Sequence, residues 1–259
     1  MDYFNDIVSF KRKPKYNFAK GEGWYRKFYN HARENDKKGE ISNYYGIDPA
    51  AALRLKQHNP DIKILFCMRN PVDRIWSHYR FAMYFEGKEK REIMQALKEE
   101  NQYIRISSYH QTLSLYLNHF PKEQIFLIWF EEIYLNPEKL MQDIFSFLGV
   151  DPSFRPKSMY KKSNPARKSH YAPLQLMIRK FNNMLVSIGL SGVIKSLKMA
   201  GLGNFVMNVT SKPLVKKSIP EEAKKYIIDH IKDDVHQLEK LTGKDLSSWL
   251  GNSPPSPLL

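Results

Sequence analysis

The stretch Lys63–Tyr79, KILFCMRNPVDRIWSHY, decides the fold. Its first half, Lys63 to Arg69, is a short continuous apolar run closed by Asn59-Pro60 before it and Asn70-Pro71 after it, the pattern of a central strand buried on both faces. Asn70 is placed to cap the helix that follows. Pro71 suits the first helical position because it has no N–H to leave unpaired, and Asp73 puts a carboxylate where the helix dipole favours one. A helix, VDRIWSHYRFAMYF, therefore starts abruptly at the carboxyl end of the strand. Cys67, inside the apolar run, reads as a buried small hydrophobe; as the only cysteine it cannot close an intramolecular disulfide, which excludes a disulfide-built scaffold.

Further along, Gln124–Phe130 (QIFLIWF) is a second apolar strand. Asn136-Pro137 then opens a helix with Leu140, Ile144, Phe147 and Leu148 on one face and Gly149 as its stop. Strands alternating with helices predict an α/β domain with a mostly parallel sheet, whose ligands bind beyond the carboxyl ends of the strands. After Val150 the strand signals fade. Leu174, Met177, Ile178, Phe181, Met184, Leu185 and Ile188 form one helical stripe, and Ile227, Ile231, Val235, Leu238 and Leu241 form another. The second begins with Ser218 and Glu221 at capping-box spacing. A helical C-terminal third is expected, in a single domain over 1–250 with a frayed Pro/Ser-rich tail, 251–259.

The 259 residues suffice for one large domain or a small pair with a real core, and 42% hydrophobic with 13% aromatic content excludes wholesale disorder and low-complexity polymers. The first residues, MDYFNDIVSFKRKPKYNF, hold no apolar signal-peptide core. No apolar stretch reaches the ~18 residues of a spanning helix, so a soluble, cytoplasmic protein is expected. The net charge is +14, and its distribution is uneven. From Phe154 to Pro220 there is no Asp or Glu, and thirteen Lys and Arg fall in that stretch. Such a field attracts phosphates, sulfated glycans, nucleic acid or anionic lipid; the alternative is a solvated surface kept for solubility. Nucleic acid is not the expected partner, because no RNA or DNA motif accompanies the charge. The run MLVSIGLSGVIKSLKMAGLGNFVMNV fits either peripheral contact with an anionic membrane or a lid helix.

Arg69 stands at the sheet's carboxyl edge and Ser77 two turns into the next helix. A guanidinium fork and a hydroxyl together suit a phosphate monoester. The competing reading pairs Arg69 with a local carboxylate and leaves Ser77 to solvent. His78 reads as a packed or surface histidine rather than a catalyst. Trp24, Tyr25, Tyr44, Tyr45 and Tyr109 can line a cleft or fill the core. No metal site is expected, since His and Cys show no ligand spacing.

RNPVDRIWSHY resembles the 3′-phosphate-binding motif of the sulfotransferases that use 3′-phosphoadenosine 5′-phosphosulfate, most closely the heparan sulfate branch and its bacterial relatives. AKGEGWYRKFY is similar to that family's Gly-x-x-Trp-Tyr segment, GEISNYYG to its Gly-Glu-x-Ser motif, SSYHQTLSLYLNHFPKEQIFLIWFEEIYLNPEKLMQDIFSFLGVDPSF to its second strand and flanking helices, and HQLEKLTGKDLSSWL to its terminal helix. The resemblance spans most of 2–155 and again 219–249. It implies a P-loop NTPase-like three-layer fold and transfer of a sulfuryl group from the nucleotide to a hydroxyl or amine of a carbohydrate or glycolipid, without a metal. Arg69 and Ser77 fall on the positions that hold the 3′-phosphate; Arg167, Lys168 and His170 are candidates for the basic loop that closes over the nucleotide.

The resemblance also implies two departures. The family's phosphate-loop lysine and its catalytic glutamate, in a Lys-Glu-x-x-Phe-Phe segment, have no counterpart here: Asp2-Tyr3-Phe4 matches the tail of that segment, with Met1 just after the glutamate. An N-terminally truncated domain, inactive as it stands, is therefore expected, with Glu40 the one remaining carboxylate to weigh as a base against a structural role. Ile41 stands where many members have a lysine near the acceptor. The alternative to an enzyme is a non-catalytic nucleotide- or polyanion-binding module.

Overall fold

The computed structural model describes residues 2–6, 17–157, 159–160, 167–169, 211–213 and 217–251. Helix α1 (Glu22–Arg26) and helix α2 (Pro49–His58) precede strand β1 (Ile64–Met68). Asp48 starts α2 by accepting the Ala50 N–H at 2.9 Å, with Pro49 in the first turn. Arg54 of α2 reaches back to Asp6 at 2.7 Å and to the Phe4 carbonyl at 3.3 Å, so the N-terminal residues Tyr3 and Phe4 are held in the core.

Helix α3 (Pro71–Arg80) starts as the sequence predicts: Asn70 Oδ1 accepts from the backbone N–H groups of Val72 (2.9 Å) and Asp73 (3.4 Å). It runs on into a single π-helical turn, Phe81–Phe85, marked by the Glu86 N–H bonding the Phe81 carbonyl five residues back. Helices α4 (Ile93–Glu99), α5 (Gln102–Arg105) and α6 (Tyr109–Leu117) complete the crossover to strand β2 (Ile125–Trp129). The two strands pair in parallel, in register from Ile64↔Ile125 to Met68↔Trp129.

Paired residues of parallel strands share a face. On one face Phe66 meets the rings of Tyr109 and Tyr116 from α6, at 6.5 and 6.4 Å. Beyond β2, a short helix α7 (Glu132–Leu135) leads into α8 (Pro137–Leu148), which ends at Gly149 in the left-handed conformation. Phe147 of α8 packs at 5.3 Å on Phe126, which points to the opposite face from Phe66. Strands β3 (Arg167–Ser169) and β4 (Ser211–Pro213) form an antiparallel ribbon, and α9 (Glu221–Thr242) closes the order. Ile227, Ile231, Val235 and Leu238 bury the predicted stripe of α9 against α3, α4, α5 and α6.

Four expectations are corrected. Strand β1 is not buried on both faces: Leu65 is 41% exposed and Cys67 is exposed, while Met68 is buried. A continuous apolar run shows that every position tolerates a core; it does not supply the neighbour, and among the described residues β2 is the only strand beside β1. Cys67 is for the same reason not the buried hydrophobe expected. The Ser218–Glu221 capping box does not form, because α9 begins at Glu221 with Pro220 at the cap position and no side-chain cap. The C-terminal third is not wholly helical, since β4 lies in it and pairs with β3 just before it; three-residue strands paired across some forty residues leave no local periodicity to read. The expected stripe 174–188, the apolar run 184–209 and the tail 252–259 lie outside the described residues. Among the described residues no helix is long and apolar enough to cross a membrane.

Candidate functional site

The carboxyl end of β1 gathers the polar groups. Arg69 follows the last strand residue directly, and the Phe130 N–H bonds the Met68 carbonyl at 2.8 Å, so the equivalent end of β2 lies alongside. The Arg69 guanidinium stacks over the Phe130 ring at 4.7 Å and makes a single 3.2 Å contact, from Nη2, to Asp73 Oδ2. Its backbone N–H points at the Tyr109 hydroxyl, 3.4 Å away. Nε of Arg69 is buried and has no hydrogen-bond partner among the described residues. The local-carboxylate reading of Arg69 is therefore realised in part: Asp73 takes one edge of the guanidinium and leaves donors over.

A second guanidinium lies near the same phenol, Tyr109. Arg74 donates to Ser107 Oγ at 3.2 Å, and among the described residues no carboxylate pairs with it. Burial pushes its pKa down. Both arginines lie close enough to Tyr109 to favour its ionisation, although burial outweighs them and pushes the phenol up. Among the described residues Arg74 has no carboxylate partner and Arg69 has one, held through a single nitrogen.

Asp73, Ser77 and Arg80 fall at i, i+4 and i+7 on α3, hence on one stripe, so the half-buried Ser77 continues the face on which Arg69 rests. Arg80 is buried with its guanidinium 5.8 Å from the Trp76 ring. The backbone of β3, which carries Arg167 and Lys168, runs beside the Phe81–Phe85 turn at the far end of α3, in register Arg167↔Pro213 and Lys168↔Lys212 with β4. The basic ribbon is thus brought to the helix that bears Ser77. His170 lies outside the described residues.

Glu40 belongs to another cluster. Its Oε1 accepts from the Asp2 N–H at 2.9 Å and the Tyr45 hydroxyl at 2.7 Å, while Asp2, held at φ 53°, accepts from Ser42 at 2.6 Å. This is a clip on the N-terminal segment, in keeping with the structural role weighed for Glu40. Ile41 is 91% exposed. Tyr25 and Tyr109 are core residues, and Trp24 and Tyr45 pack against the core, so the core reading holds for these aromatics. His78 sets its ring 5.1 Å from Tyr103, a packed histidine. Among the described residues no group of three or more His, Cys, Asp or Glu is placed to hold a metal.

Phe130, Arg74 and the contact between Tyr109 and Arg69 are not among the candidates that residue type and spacing single out. Phe130 had a signal: two parallel apolar runs of equal length put their last residues side by side. Arg74 had none, because its partner Ser107 is 33 residues away.

The family described as "Sulfotransferase domain" matches residues 48–179, just over half of the chain. Heparan sulfate glucosamine 3-O-sulfotransferase 5 of Mus musculus is 26% identical over 157 residues, covering 56% of this chain and 45% of that protein. The 3A1 enzyme of the same organism is 25% identical over 151 residues, 55% of this chain and 38% of its own length. The chain thus spans less than half the length of the curated relatives it matches. A sulfotransferase from Alicyclobacillus acidocaldarius shares the fold, with a TM-score of 0.62 at 21% identity over 96% of this chain and 84% of that one. The chain belongs to the sulfotransferase family.

Proposed function

We propose that this chain binds 3′-phosphoadenosine 5′-phosphosulfate through Arg69 and Ser77 and represents a domain that transfers its sulfuryl group to a hydroxyl or amine of a carbohydrate. The carrying observation is Arg69 itself: at the carboxyl end of β1 it meets one carboxylate, Asp73, through a single nitrogen, and its buried Nε has no partner among the described residues. A 3′-phosphate supplies two negative charges and the missing acceptors. The ribbon bearing Arg167 and Lys168, next to the Phe81–Phe85 turn, supports the assignment of those residues to the nucleotide's outer side. A carbohydrate acceptor, free or on a glycolipid, is supported by the names of the heparan sulfate relatives. A three-layer P-loop NTPase-like arrangement is supported by α6 on one face of the β1–β2 pair and α8 on the other.

In the reaction the acceptor oxygen or nitrogen bonds to sulfur, the bond from sulfur to the bridging phosphate oxygen breaks, the acceptor proton leaves to a base, and 3′-phosphoadenosine 5′-phosphate is released. The 3′-phosphate is remote from that centre. Arg69 and Ser77 therefore act by holding the donor in place, and their loss shows in affinity before it shows in the chemical step.

A further reading of the same site is favoured by the edge of β1, which among the described residues has β2 on one side and no strand on the other. That edge supports a sheet in which another strand, with the phosphate loop and base attached to it, lies beside β1. Isothermal titration calorimetry with 3′-phosphoadenosine 5′-phosphate is the test. Binding by the parent chain and a loss of tenfold or more in Arg69→Ala, about the 1.5–3 kcal/mol of a charge-assisted contact, is the expected result. Equal binding by both overturns the assignment.

A further inference from the structure

Helix α6 begins without a cap of its own. The cap position is Ser108, whose hydroxyl donates instead to the Ile104 carbonyl at 3.2 Å, so it does not serve the first turn. The unpaired N–H groups of that turn are taken from elsewhere in the chain: His110 N donates to Asp234 Oδ2 at 3.0 Å and Gln111 N to Asp234 Oδ1 at 3.2 Å. Asp234 stands on α9, in the buried stripe between Ile231 and Val235, and is 9% exposed. A carboxylate on an apolar stripe is costly unless its oxygens are matched. Here both are matched by a helix N-terminus, the end that favours negative charge.

The helix anchored in this way opens with Tyr109. The Tyr109 hydroxyl receives the Arg69 N–H, and its ring packs on Phe66 of β1 at 6.5 Å and on Trp249 at 6.0 Å. The connection therefore runs from the C-terminal helix through the first turn of α6 to the backbone that carries the phosphate-binding arginine. We propose that Asp234 is a positioning residue for Arg69: by capping α6 in trans it fixes Tyr109, and Tyr109 fixes the strand end from which the guanidinium is aimed. The proposal rests on the reading of Arg69 given above.

The experiment is calorimetry of the full chain with 3′-phosphoadenosine 5′-phosphate, at a temperature where every variant is folded by circular dichroism. Asp234→Ala is expected to weaken binding by about tenfold, the scale of one lost cap. Asp234→Asn, which keeps one accepting oxygen, recovers part of that loss, and serves alone if the alanine variant does not fold. Val235→Ala, from the same buried face, lowers the unfolding midpoint and leaves affinity within about twofold. In the Tyr109→Phe background Asp234→Ala adds little, because the path to Arg69 is already cut. Asp234 variants that bind like the parent, or weaken binding no more than Val235→Ala, overturn the inference. If Arg69→Ala loses affinity while the Asp234 variants do not, only the positioning role falls. A parent chain that does not bind, or an Arg69→Ala variant that binds equally, overturns the site and the inference together.

Discussion

Two pairs in this molecule each join an arginine to a nearby carboxylate and have opposite character. Arg91 meets Glu89 through Nε at 2.8 Å and Nη2 at 2.7 Å, with Nη1 on Glu99 at 3.2 Å. Glu89, 2% exposed, also accepts from the backbone of Lys90 and Arg91 and from the Tyr103 hydroxyl. Arg69, by contrast, touches Asp73 through one nitrogen and leaves Nε buried and unmatched among the described residues. The first pair is saturated and structural. The second is held open, and an unmet donor in a buried setting is what binding of an anion repairs.

The comparison breaks most readily at the saturated pair. Arg91 holds the Glu89 carboxyl down at about 2 from an ordinary 4.5. A carboxylate depressed in this way stabilises the fold at all pH values above its unfolded pKa, and the contribution fades as pH falls from there toward about 2. The shift corresponds to roughly 3 kcal/mol. Glu89→Gln should therefore lower stability by about that amount at pH 7, seen as a drop of roughly 10 °C in thermal midpoint. Its difference from the parent should shrink in urea titrations below pH 4. A variant as stable as the parent at pH 7 would mean that the pair contributes nothing.

Next in size, Arg69→Ala should leave the midpoint within about 3 °C while nucleotide affinity falls by tenfold or more, since the arginine has few native partners to lose. Ser77→Ala should cost about three- to tenfold in affinity at unchanged stability, the range of a neutral hydrogen bond. The smallest effect belongs to Asp73→Asn, which keeps an accepting oxygen and removes the charge. It should tighten nucleotide binding by about two- to threefold, more at low salt than at high. Weaker binding would show that Asp73 orients Arg69 rather than competing for it.

The helix start after β1 was legible because all of its signals are local: Asn70, Pro71 and Asp73 each act within one turn. The stripe of α9 was legible for the same reason, its period being internal to the helix. What could not be read were the relations between distant segments. The runs ILFCM and IFLIW look interchangeable, yet Phe126 in the second is covered by Phe147 while Leu65 in the first is exposed. Asp234 gave no sign of its partner, because the amides it binds belong to residues more than 120 positions earlier. Arg69 and Ser77 are candidates by type and spacing, whereas the feature that separates Arg69 from Arg91, the number of donors left unmet, exists only in three dimensions.

The central claim is that the pair at Arg69 is open for an anion and the pair at Arg91 is closed. One paired measurement tests it: thermal midpoint with and without saturating 3′-phosphoadenosine 5′-phosphate for the parent, Arg69→Ala and Arg91→Ala. Ligand should raise the midpoint of the parent and of the less stable Arg91→Ala by similar amounts, and fail to raise that of Arg69→Ala. A ligand-induced rise in Arg69→Ala equal to that of the parent would contradict the account.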